Sequence, residues 1–274
     1  MTATQRQRAE RFCALHEGPG VFVIPNPWDV GSAKILEGLG FPALATSSAA
    51  SAMSMGSKDG LLTREQALAH ARAIVSATEL PVSADLENGF GDTPQAVAET
   101  VRRAGEMGLV GCTIEDASGN PEKPVYDVGL ATERIAAGAE EARRFGFPFM
   151  LTARAHNLLY PSASLDDTIR RLLAYERAGA EVLFAPGLPD IATVKTVCAS
   201  LSKPFNFMVG MKGKSFSLKE LAEAGVRRIS LATSLYRAAM TGLLAAAQEV
   251  TASGTFGFVE QSTPTAELLR LMRI

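Results

Sequence analysis

The sequence predicts an α/β fold, a TIM-type (β/α)8 barrel, on three observations. First, an amphipathic stretch that ends in glycine and runs into a short apolar segment recurs along the chain. It reads ILEGLGFPALATSS, RRAGEMGLVGCTIED, EEARRFGFPFMLTAR, AYERAGAEVLFAPG and KELAEAGVRRISLAT, with Gly40, Gly108, Gly146, Gly179 and Gly225 closing the helical parts. Glycine suits a helix C-cap because it enters the left-handed region without strain. Second, strand-like runs fall near 21–25, 43–47, 81–87, 110–115, 148–154, 181–185, 204–209 and 228–232, with helices between them. Strands alternating with helices imply right-handed crossovers and a parallel sheet, and eight such units can close on themselves. Third, several strands carry one small or polar face. Gly111, Thr113 and Glu115 oppose Val110, Cys112 and Ile114; Thr152 and Arg154 oppose Leu151 and Ala153; Ser230 and Ala232 oppose Ile229 and Leu231. Polar faces inward and apolar faces under helices fit a wrapped barrel. A doubly wound open sheet is the competing architecture.

The 274 residues are read as a single domain, with the barrel over about 20–240 and a C-terminal helical tail over about 241–274. In that tail LYRAAMTGLLAAAQEVTA and TAELLRLM read as helices around the loop SGTFGFVEQSTP, and their Leu, Met and Phe content suggests docking, on another subunit among other places. Hydrophobic content of 47% and charged content of 20% describe a chain able to bury a real core. The formal charge is −2, with acids and bases mixed, so no basic stripe argues for nucleic acid or an anionic membrane. Cys13, Cys112 and Cys198 are odd in number and widely spaced, which fits reduced thiols. The polar start lacks an apolar signal core, and Leu243–Val250 is too short to span a bilayer. A soluble cytoplasmic protein is expected.

Barrel enzymes build their sites at the C-terminal ends of the strands. In order, these strand ends deliver Asn26, Trp28 and Asp29; Ser47 and Ser48, then Asp59 in the following loop; Asp85 and Glu87; Glu115 and Asp116; Arg154, His156 and Asn157; and Asn206. In VSADLENGFG, Ser83, Asp85 and Glu87 share a strand face. Two acids on one face repel unless something positive stands between them. A solvated edge is the plain reading; a hard cation such as magnesium is the sharper one. Asp85, with Glu87 and Glu115 behind it, supplies the oxygen donors magnesium prefers. Arg154 offers a planar fork for a carboxylate, and Trp28 and Asn206 are candidate substrate contacts. No lysine is placed to point into the barrel, which argues against a Schiff-base aldolase.

NPWDVGSA, TSSAASAMSMGSKDG, SADLENGFG, TIED and TARAHN, in this order, resemble the isocitrate lyase / phosphoenolpyruvate mutase superfamily over about residues 20–240. The resemblance implies a TIM-like barrel in a homo-oligomer, a tetramer or dimer, with a C-terminal helix exchanged between neighbours. It implies Mg2+ as cofactor and a small 2-oxo acid as substrate. By match, Asp85 is implied as the direct magnesium ligand, and Asp59, Glu87 and Glu115 as acids acting through metal waters. Ser47, Ser48 and Ala49 are implied to hold the substrate carboxylate, and Arg154 to contact substrate. Asp59, Glu115 and Arg154 are the expected catalytic groups.

The loop after the fourth strand departs from the family. Isocitrate and methylisocitrate lyases carry Lys-Lys/Arg-Cys-Gly-His there, whereas this chain reads EDASGNPEKPVYD, without cysteine or histidine. The thiol that protonates the departing enolate is missing, so isocitrate cleavage is not expected. The early lysine of phosphoenolpyruvate mutase is replaced by Ala117 and Ser118, with Asn120 and Lys123 as approximate counterparts. The expected function is a magnesium-dependent lyase that cleaves a C–C bond in, or decarboxylates, a small 2-oxo or 2-hydroxy dicarboxylic acid. The alternatives are a P–C bond enzyme, such as a phosphonopyruvate hydrolase or mutase, and a non-catalytic 2-oxo acid binding protein.

Overall fold

The computed structural model describes residues 3–161 and 164–274. Eight parallel strands, β1 (Phe22–Ile24), β2 (Leu44–Ala45), β3 (Val82–Asp85), β4 (Gly111–Glu115), β5 (Met150–Arg154), β6 (Val182–Phe184), β7 (Phe205–Met208) and β8 (Arg228–Ser230), pair in the order β1-β8-β7-β6-β5-β4-β3-β2. The β1–β2 seam is closed by single contacts. Ala45 N donates to Pro25 O at 3.1 Å. Asn26 spans the seam: its Nδ2 donates to Thr46 O at 3.0 Å and its Oδ1 accepts from Leu231 N at 2.8 Å. The result is the expected TIM-type barrel.

The helices are α1 (Gln5–Glu17), α2 (Val30–Gly38), α3 (Ser48–Ser54), α4 (Arg64–Ala77), α5 (Pro94–Glu106), α6 (Val128–Arg143), α7 (Leu165–Arg177), α8 (Ile191–Ala199), α9 (Leu218–Glu223), α10 (Ser234–Ser253) and α11 (Thr265–Met272). Their starts are written in the sequence. Thr4, Thr63 and Ser217 form capping boxes with Gln7, Gln66 and Glu220, and Pro94 takes the first position of α5. The outward strand residues Ala84, Cys112, Ile114, Leu151, Ala153, Leu183, Phe207 and Ile229 pack under the helices in the main core.

Inside the barrel there are two regimes. Toward the N-terminal end, Phe22, Ile24, Val110, Met150 and Val182 form an apolar cluster with Ala9 and Phe12 of α1, which plugs that end. Above it the inward residues turn polar: Ser83, Thr113, Thr152, Asn206, Arg228 and Ser230. Most barrels fill these layers with branched apolar side chains. The polar layers leave room for a site.

Two sequence expectations need correction. The third strand ends at Asp85, not at 87; Glu87 has φ +50°, so its place near Asp85 comes from a left-handed turn and not from strand alternation. Gly146 lies two residues beyond the α6 cap, Arg144, whereas Gly40, Gly108, Gly179 and Gly225 directly follow theirs. The tail helices appear as expected, with a short 3-10 turn at Gly257–Gln261 inside the loop. The backbone of α11 lies against α2 of the same chain so closely that a Cβ on Gly38 would stand 2.1 Å from Leu271 O. Neither α10 nor α11 has a fully buried residue. No helix among the described residues is long and apolar enough to cross a membrane.

Candidate active site

A cavity of about 280 Å³ opens at the C-terminal end of the strands, walled by Ser47, Ser48, Ala49, Asp59, Asp85, Arg154, Phe184, Asn206 and Arg228 among others. A second, wider space adjoins it under the loop after β4, walled by Asp59, Glu87, Glu115, Arg154, His156 and Tyr160 among others. Asp59, Ser48 and Arg154 line both.

Asp85, the last residue of β3, is held by three hydrogen bonds. Its Oδ2 accepts from Ser48 N at 3.3 Å and Ser48 Oγ at 3.1 Å. Its Oδ1 accepts from Glu87 N at 3.2 Å, and Arg154 Nη1 stands 4.0 Å away. The strand direction aims this carboxylate inward, and the turn begun by Ser47, the N-cap of α3, brings Ser48 to it. Burial pushes the Asp85 carboxyl up, Arg154 pulls it back, and Glu115 and Asp59 push it further up.

Glu115 ends β4 beside Arg154, its cross-strand partner in β5, with Oε2 3.1 Å from Arg154 Nη1. His156 Nδ1 is 3.2 Å from the same oxygen, close but outside hydrogen-bond geometry. Burial works against the Glu115 charge; the Arg154 guanidinium and the imidazole outweigh it and hold the carboxyl down to about 2. Glu87 behaves oppositely. Burial, then the charges of Asp85, Asp59 and Glu115, push it up to about 8. The Arg154 guanidinium also lies 5.0 Å over the Phe184 ring, and its buried Nε has no protein acceptor.

Of Asp59, Asp85, Glu87 and Glu115, Arg154 pairs with Glu115 and approaches Asp85, and Asp85 and Glu87 are pushed up in pKa. Such an excess of negative charge fits a cation, and all-oxygen donors fit a hard one such as Mg2+. Among the described residues, no three His, Cys, Asp or Glu side chains stand close enough to ligate one ion directly. The donor set therefore fits an ion gripped by one carboxylate and joined to the others through water, as magnesium prefers.

Other expected contacts sit elsewhere or are already engaged. Trp28 does not line either cavity; it packs edge-on against Tyr236, ring centroids 5.5 Å apart, and its carbonyl accepts from His70 Nε2 at 2.8 Å. Asn206 lines the cavity but spends its amide on neighbours, donating to Ser230 Oγ at 3.0 Å and accepting from Arg228 Nε at 2.8 Å. Asp116 faces away, where it accepts from His156 N at 2.7 Å, Arg171 Nη1 at 3.0 Å and the Tyr175 hydroxyl. That buried network fixes the two strand ends that carry Glu115 and Arg154. No lysine or cysteine is among the residues lining either cavity. Cys112 lies on the helix-facing side of β4, and burial pushes its thiol far up.

One inward residue was not anticipated. Arg228, 4% exposed, opens β8 and reaches across the barrel to Thr152 Oγ1 at 2.9 Å. Alternation offered the signal: Arg228 shares the inward face of Ser230 and Ala232, one pair earlier.

The family model for phosphoenolpyruvate phosphomutase matches residues 12–251. A crystal structure from Burkholderia cenocepacia J2315, provisionally described as a lyase/mutase, superposes with a TM-score of 0.96 at 48% identity, covering 98% of this chain and 97% of that one. The structure of 2,3-dimethylmalate lyase, a member of the phosphoenolpyruvate mutase / isocitrate lyase superfamily, gives 0.87 at 27% identity over 98% and 95%. Oxaloacetate decarboxylase of Bradyrhizobium diazoefficiens is 30% identical over 206 residues, 73% of this chain and 70% of that protein.

Proposed function

Because the chain belongs to the phosphoenolpyruvate mutase / isocitrate lyase superfamily, we propose that it is a magnesium-dependent carbon–carbon lyase. Its substrate is a small 2-oxo or 2-hydroxy dicarboxylic acid, which it cleaves or decarboxylates through an enolate. The observation that supports this best is the fixed Asp85 carboxylate, held by both donors of Ser48 and surrounded by Asp59, Glu87 and Glu115. Asp85 would hold the ion, with the other three acids joined through water. When bound, magnesium supplies a fixed positive charge where negative charge develops on the substrate oxygen, which favours the transition state over the ground state.

The chain's own groups supply the rest. Ser47, Ser48 and Ala49 line the cavity beside Asp85 and would seat the substrate carboxylate. Arg154 lines both spaces and would offer its guanidinium to a substrate oxygen, while Glu115 and Phe184 hold its plane. The loop after β4 covers the adjoining space as a small pinned flap. Ala117 bridges Val125, Ser118 N donates to Pro124 O at 2.9 Å, and the Tyr126 hydroxyl donates to Asp92 at 2.6 Å. Water exclusion strengthens every charge interaction beneath it. Tyr160 and His156 line that space and are the candidates to carry a proton to the product carbon.

The reading includes a homo-oligomer, dimer or tetramer. The exposed leucines of α10, Leu243 and Leu244, with Phe256 and Val259 just beyond, form an apolar surface that a second copy would cover.

The test is direct. Purified protein with Mg2+ is given oxaloacetate, 2,3-dimethylmalate and phosphonopyruvate, and pyruvate and phosphate are followed. Product from a carbon acid without phosphate, lost on chelation and in Asp85→Ala, is the expected result. Phosphate from phosphonopyruvate would favour a P–C enzyme, and ligand-induced stabilisation without turnover a binding protein. An Asp85→Ala protein that binds 2-oxo acids as well as the parent in Mg2+ would remove the chelation scheme.

A further inference from the structure

We propose that Arg228 recognises a second anionic group of the substrate, at the floor of the cavity whose rim is Asp85. The inference rests on the 2-oxo acid reading above and adds the residue that sets its preference for diacids.

Arg228 lies between the cavity, whose wall it forms, and α1, which plugs the far end of the barrel. Its Nε donates to Asn206 Oδ1 at 2.8 Å, its Nη2 to Thr152 Oγ1 at 2.9 Å, and its Nη1 faces His16 Nε2 at 3.4 Å. His16 Nδ1 is 2.7 Å from Phe12 O, so that nitrogen bears the proton and Nε2 is a neutral acceptor. Every partner of the guanidinium is therefore uncharged. Of its five N–H groups, about two are left without a protein acceptor. No carboxylate among the described residues comes within ion-pair distance of it. Burial, the sole cause at work, pulls the guanidinium down to about 9.

Buried charges are normally paired. Arg171 shows the ordinary solution in the same molecule: it is buried and contacts Asp116 at 3.0 Å and Asp167 at 2.8 Å. Arg134, also buried without an acid, lies 4.2 Å over the Tyr126 ring and donates to the Gly91 and Asn88 carbonyls, without itself lining either space of the site. Arg228 alone of the three forms cavity wall. The counter-charge it lacks can enter through the cavity. At about 280 Å³ the space is near the lower end for ligand pockets, which suits a small acid reaching from the rim to the floor.

The experiment compares acids that differ only in a terminal carboxylate. Binding of oxaloacetate against 2-oxobutyrate, and of 2-oxoglutarate against 2-oxovalerate, is measured by calorimetry and thermal shift with Mg2+ present. The parent protein is expected to prefer the diacid of at least one pair by roughly 10- to 100-fold. Arg228→Met should bring that ratio near one with little change for the monoacid, and Arg228→Lys should restore part of it. A purely structural arginine would move both acids of a pair together. Equal binding of both acids by the parent, or an unchanged ratio in folded Arg228→Met, overturns the inference while leaving the 2-oxo acid reading intact. Failure of all four acids to bind the parent sinks that reading first. If Arg228→Met does not fold, a crystal structure of the parent with Mg2+ and the preferred diacid decides. A carboxylate on the guanidinium supports the inference, and one directed to the loop after β4 overturns it.

Discussion

Ser48 donates its backbone N–H and its hydroxyl to the same oxygen of Asp85, at 3.3 and 3.1 Å. The other Asp85 oxygen takes the Glu87 N–H at 3.2 Å. Three donors from two different elements thus orient one carboxylate before any ligand arrives.

Ser48→Ala should keep the backbone donor and lose the hydroxyl. Hydrogen bonds to charged groups contribute about 1.5–3 kcal/mol. Because the second donor remains, Mg2+ affinity or kcat/KM should fall by roughly tenfold, not to zero. Titration of Mg2+ by calorimetry checks it; parent-like affinity would mean that the hydroxyl does not orient Asp85.

Magnesium binding should depend on pH through Glu87, whose carboxyl is pushed up to about 8. In the metal-free protein it holds a proton at neutral pH. A cation nearby favours the charged form, so binding must release that proton. Affinity should therefore rise from pH 7 to 9 and level off above. Calorimetry at pH 7 in buffers of different ionisation heat should show proton release, and a flat profile over this range would contradict the assignment.

His16 should make the fold sensitive to acid. Burial first, and Arg228 second, pull its imidazole down to about 3 from the usual 6.5. Below pH 6.5 the unfolded chain takes up a proton that the folded chain refuses, so stability falls with pH, by about 1.4 kcal/mol per unit at full effect. The loss should begin near pH 6.5 and continue to about 3. The parent should then lose about 2–3 kcal/mol between pH 7 and 4.5 that His16→Gln does not lose. Urea melts of both proteins at the two pH values check it; parallel losses would show that another group is responsible.

Leu243 and Leu244 are 60% and 58% exposed on α10. Replacing both by glutamate should leave the barrel folded but shift the particle to a smaller mass in light scattering. An unchanged mass would place the subunit contacts elsewhere.

The barrel itself was legible because its signals are local: helix caps, glycine directly after four of them, and strand faces of period two. TAELLRLM starts and stops where α11 does, and SGTFGFVEQSTP holds only a short 3-10 turn. Most acids of the site were legible because strand ends point to one mouth, which is how Asp85, Glu115 and Arg154 come together. Glu87 was reached by a faulty route, since alternation stopped at Asp85 and a left-handed turn took over. Trp28 was misplaced because a loop residue's direction depends on its neighbours, here Tyr236 and His70. Arg228 stands at the start of β8, at the opposite end of the strand from where barrels do chemistry, so the strand-end rule does not reach it. Only long-range packing brings it to Thr152 and His16, residues far away in the chain.

Asn26 has a consequence for anyone reshaping this pocket. It sits in the cavity wall, where it would tempt a designer seeking a new polar contact, yet both ends of its amide already clasp neighbouring strands. An aspartate there could keep the Leu231 link but not the donor to Thr46, and alanine would lose both. Changes at this position should be judged as edits to the hinge of the wall, where a gain in ligand grip comes with an unlatched barrel.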